Sequence, residues 1–169
     1  MKIGAMSDTH GDAQAMKEAF ALLRAEGLGI VVHAGDIGRA GLALLGRLAE
    51  EAGIPAYAAL GNCDWMLEAE VAYGLAPKNV AAGWTVSFEA DGKRCAVCHG
   101  HDFRRLAALA AVSDVVFTGH THAAGEGRLE GARLLSCGSA AQPRDGRRSC
   151  GLYDTATGAW RILPLDHAR

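Results

Sequence analysis

Polar clusters break the apolar runs of this sequence at five places: Asp8-Thr9-His10, Gly35-Asp36, Gly61-Asn62-Cys63-Asp64, His99-Gly100-His101 and Gly119-His120-Thr121-His122. Between them, Asp8, His10, Asp36, Asn62, His99, His120 and His122 offer two carboxylates, four imidazoles and one amide. Such oxygen and nitrogen donors suit borderline divalent ions such as Mn2+, Fe2+, Zn2+, Co2+ or Ni2+. Seven donors exceed what one octahedral ion needs once a substrate position is kept open, whereas two ions sharing a carboxylate would use them all. Taken singly, each residue reads equally well as a turn residue or a helix cap. Their joint placement is what points to chemistry.

That placement follows from the hydrophobic periodicity. Lys2-Ile3-Gly4-Ala5-Met6 reads as a short buried strand, and Asp12 as the N-cap of a helix over about Ala13–Ala25 that stops before Gly27. The cycle repeats with a strand over Gly29–His33, a helix over Gly41–Ala52 carrying Leu42, Leu45, Leu48 and Ala49 on one face, and a strand over Ala56–Leu60. Residues 65–83 show no clear period, and one or two helical turns followed by a loop are expected there. Trp84–Glu89 alternates strongly, Asp91-Gly92 is a hairpin signal, and Lys93–Cys98 supplies the returning strand. A helix over Phe103–Ala111, a strand over Asp114–Phe117 and four short strands near 126–130, 132–136, 148–154 and 159–163 complete the pattern. Strands alternating with helices imply a parallel-dominated sheet, and the β-rich tail adds antiparallel content, so the fold class is α/β. In open α/β sheets ligands bind beyond the carboxyl ends of the strands, where all seven donor side chains are expected to converge.

Composition narrows the class. The 169 residues, half of them apolar, 21% charged and with a net charge of −2, suit one globular domain. The charge is too balanced for strong nucleic-acid binding, no run approaches the ~20 apolar residues of a membrane span, and no basic head precedes an apolar stretch. A cytoplasmic location without membrane contact is therefore expected. The five cysteines form an odd set, which argues for reduced thiols rather than a disulfide framework.

The five clusters, in this order, resemble the calcineurin-like metallophosphoesterase signature D-x-H, G-D, G-N-H-[DE], H-G, G-H-x-H. The likeness spans residues 3–122 and, in the tail, Gly138-Ser139 with Pro143-Arg144. The short length and the Gly-Asn-Cys-Asp variant are most similar to the small single-domain phosphodiesterases of bacteria and archaea. The resemblance implies a four-layer α/β/β/α sandwich of two mixed sheets flanked by helices, formed by a single domain over 1–169 with no cap. Asp8, His10, Asp36 and His122 would hold one metal, and Asp36, Asn62, His99 and His120 the other, with Asp36 bridging. Two divalent ions, Mn2+ favoured, would lower the pKa of a bridging water so that the hydroxide attacks a phosphoester, most readily a phosphodiester. Two such ions, two ionised Asp and one hydroxide sum to about +1, so the crevice would attract a phosphate anion within a mildly acidic protein. The rival reading is an interaction scaffold of the same fold, such as the retromer subunit, with little or no catalysis. A retired site usually loses ligands, and here all seven are present.

Catalytic candidates are Asp36, Asn62, Cys63, Asp64 and His101. Cys63 stands where the family usually places a His that assists the leaving group, and a thiol donates a proton less readily than imidazolium. That substitution would favour diesters or activated leaving groups, or leave protonation to His101 or to the substrate. Asp64 is also read as orienting Asn62 or capping the next segment, His33 as a packing residue or one that supports a ligand by a hydrogen bond, and Arg144 as a solvated loop residue that could reach a phosphate. Cys95-Ala96-Val97-Cys98-His99 matches the haem motif C-x-x-C-H, but strand geometry sends Cys95 and Cys98 to opposite faces. Exposed Trp65, Met66 or Trp84 would suit a homodimer face.

Overall fold

The computed structural model describes residues 1–165; the last residues of the expected 1–169 domain lie outside them. The chain runs β1 (Lys2–Met6), α1 (Ala13–Ala25), β2 (Ile30–Ala34), α2 (Arg39–Ala52), β3 (Ala56–Ala59), α3 (Leu67–Ala72), β4 (Val80–Gly83), β5 (Thr85–Ala90), β6 (Lys93–Cys98), α4 (Phe103–Ala110), β7 (Val115–Thr118), β8 (Ala124–Leu129), β9 (Ala132–Cys137), β10 (Ser149–Asp154) and β11 (Trp160–Pro164). The first sheet has the order β11-β10-β1-β2-β3-β4 and the second β5-β6-β7-β9-β8. Both are mixed: β1 to β4 pair in parallel and β10 joins β1 antiparallel, while β6, β7 and β9 are parallel between antiparallel edges β5 and β8.

Strand alternation sorts the apolar side chains into three layers. Ile3, Ala5, Val32, Val97, Phe117 and Leu135 fill the space between the sheets. Met6, Val31 and Leu152 on the opposite face of the first sheet pack under Met16, Phe20 and Leu23 of α1 and Leu42 and Leu45 of α2. Val116 and Cys98 on the outer face of the second sheet meet Leu106 and Ala110 of α4. The expected α/β/β/α sandwich is thus present, and Cys95 and Cys98 do lie in different layers.

Two local differences from the sequence reading have physical causes. Helix α2 starts two residues early, at Arg39, because the N–H groups of Ile37 and Gly38 are satisfied by Asp64 from a distant loop rather than by a local cap. Residues 80–83, expected as loop, form β4 at the parallel edge beside β3. Val-Ala-Ala-Gly carries no alternation to reveal a strand, and backbone pairing with Ala56–Ala59 determines it. The Asp12 cap of α1 is as expected, its Oδ1 accepting from the N–H groups of Gln14 and Ala15. No described helix is long and apolar enough to cross a membrane.

Candidate metal centre

The C-terminal ends of β1, β2 and β3 in one sheet and of β6 and β7 in the other meet at the same end of the sandwich. The loops that leave them carry all seven donors. Turning the chain sharply there requires unusual backbone. Asp8, His10, Asp36, His120 and His122 all have φ between 48° and 69°, a region costly for residues with a Cβ. The neighbouring glycines make room: a Cβ on Gly61 would land on the Asp36 carboxylate, one on Gly35 would sit 2.5 Å from His99 Nδ1, and one on Gly119 2.8 Å from Asp8 Oδ2.

Hydrogen bonds then aim the side chains. Buried His99 donates from Nδ1 to the Ala34 carbonyl (2.8 Å), which leaves Nε2 facing Asn62 Oδ1 at 3.1 Å, Asp36 Oδ2 at 3.4 Å and Asp8 Oδ1 at 3.9 Å. His122 likewise donates from Nδ1 to the Gln142 carbonyl (2.5 Å) and turns Nε2 toward Asp8 Oδ1 at 3.2 Å. Carbonyl anchoring of the far ring nitrogen fixes the tautomer that offers Nε2 as a ligand. His10 Nε2 is buried with no hydrogen-bond partner and lies 3.9 Å from Asp36 Oδ2. Imidazole nitrogens and carboxylate oxygens at these distances can share a proton or hold a metal cation between them.

Among the described residues, three overlapping groups have ligand atoms within 4.8 Å of one another: Asp8, His10 and His122; Asp8, Asp36 and His99; and His10, Asp36 and Cys63. Asn62 adjoins the second through His99. His120 joins no such group; its ring lies 5.1 Å from that of His99, and its backbone N–H points at both Asp8 oxygens at 3.2–3.3 Å. The donor set and its one buried orphan nitrogen therefore fit divalent metal.

The charges are tuned by this crowding. Burial opposes ionisation of Asp36, yet the His99 ring and the Cys63 N–H (2.9 Å to Oδ1) hold its carboxyl well below the usual range. Burial also works against His99 as a cation, but Asp36 and the Ala34 carbonyl outweigh it and raise its proton affinity. His120 and His101 are shifted down, first by partial burial and then by the neighbouring imidazoles. The Cys63 thiol is pushed up to about 11 by desolvation and by Asp36, Asp64 and Asp8, so it is a poor acid.

The other sequence candidates separate clearly. His101 is exposed at the margin, its ring 5.4 Å from His99 and 6.0 Å from His120 and edge-on to Trp84. Asp64 is buried beneath the loops. Its two oxygens are spent on the N–H groups of Ile37 (3.0 Å), Gly38 (2.8 Å) and Gly61 (2.9 Å), clamping the loops that carry Asp36 and Asn62. His33 is buried behind the site with Nε2 2.9 Å from Thr9 Oγ1, the residue between Asp8 and His10. Trp65 and Met66 are exposed, whereas Trp84 is half-buried, bonded through Nε1 to Glu68 and covered by Arg105.

Sequence reasoning missed one support. Ser139 donates from Oγ to the Asp8 carbonyl (2.9 Å) and accepts from the N–H groups of Ala141 and Gln142, which ties β1 to the loop that holds His122. The Gly138-Ser139 pair was the signal: Gly138 has φ 76°, and a Cβ there would meet Ser149 Oγ at 2.5 Å.

Known proteins share this fold. The model of the calcineurin-like phosphoesterase superfamily domain matches residues 1–158. Phosphodiesterase MJ0936 of Methanocaldococcus jannaschii is 25% identical over 176 aligned positions, covering 98% of this chain and 100% of that protein. A solved archaeal phosphodiesterase has a TM-score of 0.78 at 24% identity, with 97% of this chain and 99% of that one covered. The phosphoesterase YfcE of E. coli gives 0.68 at 24%, covering 98% and 100%. Vps29 of Cryptosporidium parvum gives 0.66 at 17%, covering 96% and 95%. At these identities the solved structures speak for the fold, and the family match extends over most of the sequence together with its donor loops. The chain belongs to the calcineurin-like phosphoesterase superfamily.

Proposed function

We propose that this chain is a binuclear metal-dependent phosphodiesterase, a single uncapped domain acting on small phosphoesters or phosphodiesters, with Mn2+ or a similar transition ion. The observation that carries the reading is the position of Asp36: it belongs to two of the three ligand groups and lies within 3.9 Å of both His10 and His99. Asp8, His10, Asp36 and His122 would hold one ion, and Asp36, Asn62, His99 and His120 the other. Ions bound there would acidify a water nucleophile and neutralise phosphate oxygens.

The chain's own residues do the rest. The αL turns at Asp8, His10, Asp36, His120 and His122 fix the donors before substrate arrives, so little reorganisation is spent during reaction. Asn62, exposed with its Oδ1 against His99, would offer its amide N–H to a phosphate oxygen. His101 at the open margin is shifted toward its neutral form and serves better to accept or relay a proton than to donate one. With a thiol at position 63 in place of imidazolium, that position supplies only a weak acid, which favours esters with good leaving groups.

The partner and location readings belong to the same proposal: no membrane or strong nucleic-acid binding, a cytoplasmic site of action, and pairing of two copies over exposed Trp65 and Met66. The scaffold alternative draws on the likeness to Vps29, but an intact donor set favours catalysis. The test is hydrolysis of bis-p-nitrophenyl phosphate by EDTA-stripped protein with each divalent ion restored separately. The expected result is activity with transition ions and none without, with Asp36→Asn lowering the rate at least about 100-fold. Full activity in EDTA would end the proposal.

A further inference from the structure

We infer that Cys63 is a metal ligand, a sulfur donor beside His10 and Asp36 that biases the centre toward thiophilic ions such as Zn2+ and Co2+ over Mn2+. This rests on reading the cluster as a metal centre.

The ligand atoms of His10, Asp36 and Cys63 all lie within 4.8 Å of one another. Neighbouring ligands on a tetrahedral ion with bonds of about 2.0–2.3 Å are roughly 3.5 Å apart, so contraction by about 1 Å would bring the three onto one ion. Two of the three are already constrained. Asp36 is buried and held by the Cys63 N–H, and His10 Nε2 is a buried nitrogen with no hydrogen-bond partner. The third is on an exposed loop and can rotate about one side-chain bond.

Without metal, burial and the neighbouring carboxylates keep the thiol protonated, and the charge of a bound cation would offset them. The Asn62 amide contacts Sγ at 3.4 Å and can donate to it. Cys95, Cys98, Cys137 and Cys150 are buried, whereas Cys63 is exposed and fills no part of the core. On coordination the S–H bond is exchanged for a sulfur–metal bond and the proton leaves to solvent. Sulfur is a soft ligand that selects zinc-like ions, whereas carboxylate and water suit manganese, so one thiolate added to an oxygen and nitrogen set tilts the preference.

Cys63 is the one exposed thiol in the described chain, which makes the test clean. EDTA-stripped full-length protein is treated with a thiol reagent under native conditions, alone and with Zn2+, Co2+ or Mn2+. Cobalt binding is followed by its visible d–d absorption. The expected result is one accessible thiol, reacting ahead of the four buried ones, that Zn2+ and Co2+ slow at least ~10-fold and Mn2+ far less. Cobalt-loaded protein should show sulfur-to-metal charge-transfer absorption that Cys63→Ser removes while the d–d bands persist. The same variant should lower the ratio of Zn2+ to Mn2+ affinity by roughly 10-fold or more. Bound cobalt with no charge-transfer band, or a thiol that reacts equally fast in loaded and stripped protein, overturns the sulfur ligand and leaves the metal centre standing. No cobalt bound at all overturns both.

Discussion

Replacing Asp64 by Ala separates a residue that positions the site from one that reacts in it. Asp64 is 2% exposed, and its carboxylate accepts three backbone N–H groups, from Ile37, Gly38 and Gly61. Removing it strands those donors. The Ile37 and Gly61 groups are buried, while the Gly38 group is partly open to water. An unsatisfied buried donor costs about 1–3 kcal/mol, so the two buried ones set a loss of roughly 2–6 kcal/mol. That is a large share of the ~5–15 kcal/mol a domain of this kind possesses. Asp64→Asn keeps one oxygen and turns an NH2 toward a donor, so its cost should fall below that of Ala. The assay is urea unfolding of EDTA-treated protein, followed by far-ultraviolet circular dichroism, where bound metal adds nothing to stability. Asp64→Ala within ~1 kcal/mol of the parent, combined with a loss of hydrolysis exceeding ~100-fold, would refute the positioning role and restore the catalytic one.

Two further outcomes follow from the same loops. Gly61→Ala should abolish metal binding in calorimetry while the protein stays folded, since the new Cβ lands on the Asp36 carboxylate, 2.8 Å from Cγ; unchanged affinity would show that the close approach is relieved elsewhere. His33 is fully buried, and desolvation, then the His99 charge, push its pKa down to about 3, below the ~6.5 of an unfolded chain. The unfolded state therefore binds the extra proton between pH 6.5 and 3, and stability is lost as pH falls through that window by up to about 1.4 kcal/mol per unit. In metal-free protein, His33→Gln should flatten the fall in urea midpoint from pH 7 to 5; parallel curves would contradict it.

The sequence carried the strands and the donors well because both are local signals. Lys2–Met6 and Lys93–Cys98 form as their apolar patterns indicate, and the donor clusters sit at strand ends because polar residues interrupt those patterns there. It pointed to His33 and Asp64 as supports but not to their partners, which are long-range: Asp64 reaches back to Ile37 and Gly38, and His33 to Thr9, as Ser139 does to the Asp8 carbonyl, and none of these bonds leaves a periodic trace. Helix α2 shows the same limit: its first turn follows Gly38, which has φ 71° and no side-chain cap, so its start depends on a carboxylate 26 positions away. The left-handed backbone at five donors was equally out of reach, since Asp and His alone do not announce it.

The most direct measurement of the central claim is a stoichiometric Mn2+ titration of metal-stripped protein, with bound metal and diester hydrolysis read on the same samples. The account predicts that hydrolysis appears as the second equivalent binds, and that Asp36→Asn loses the second ion together with the activity. Maximal hydrolysis with one equivalent, or hydrolysis undiminished in Asp36→Asn, would contradict a centre built on a shared Asp36.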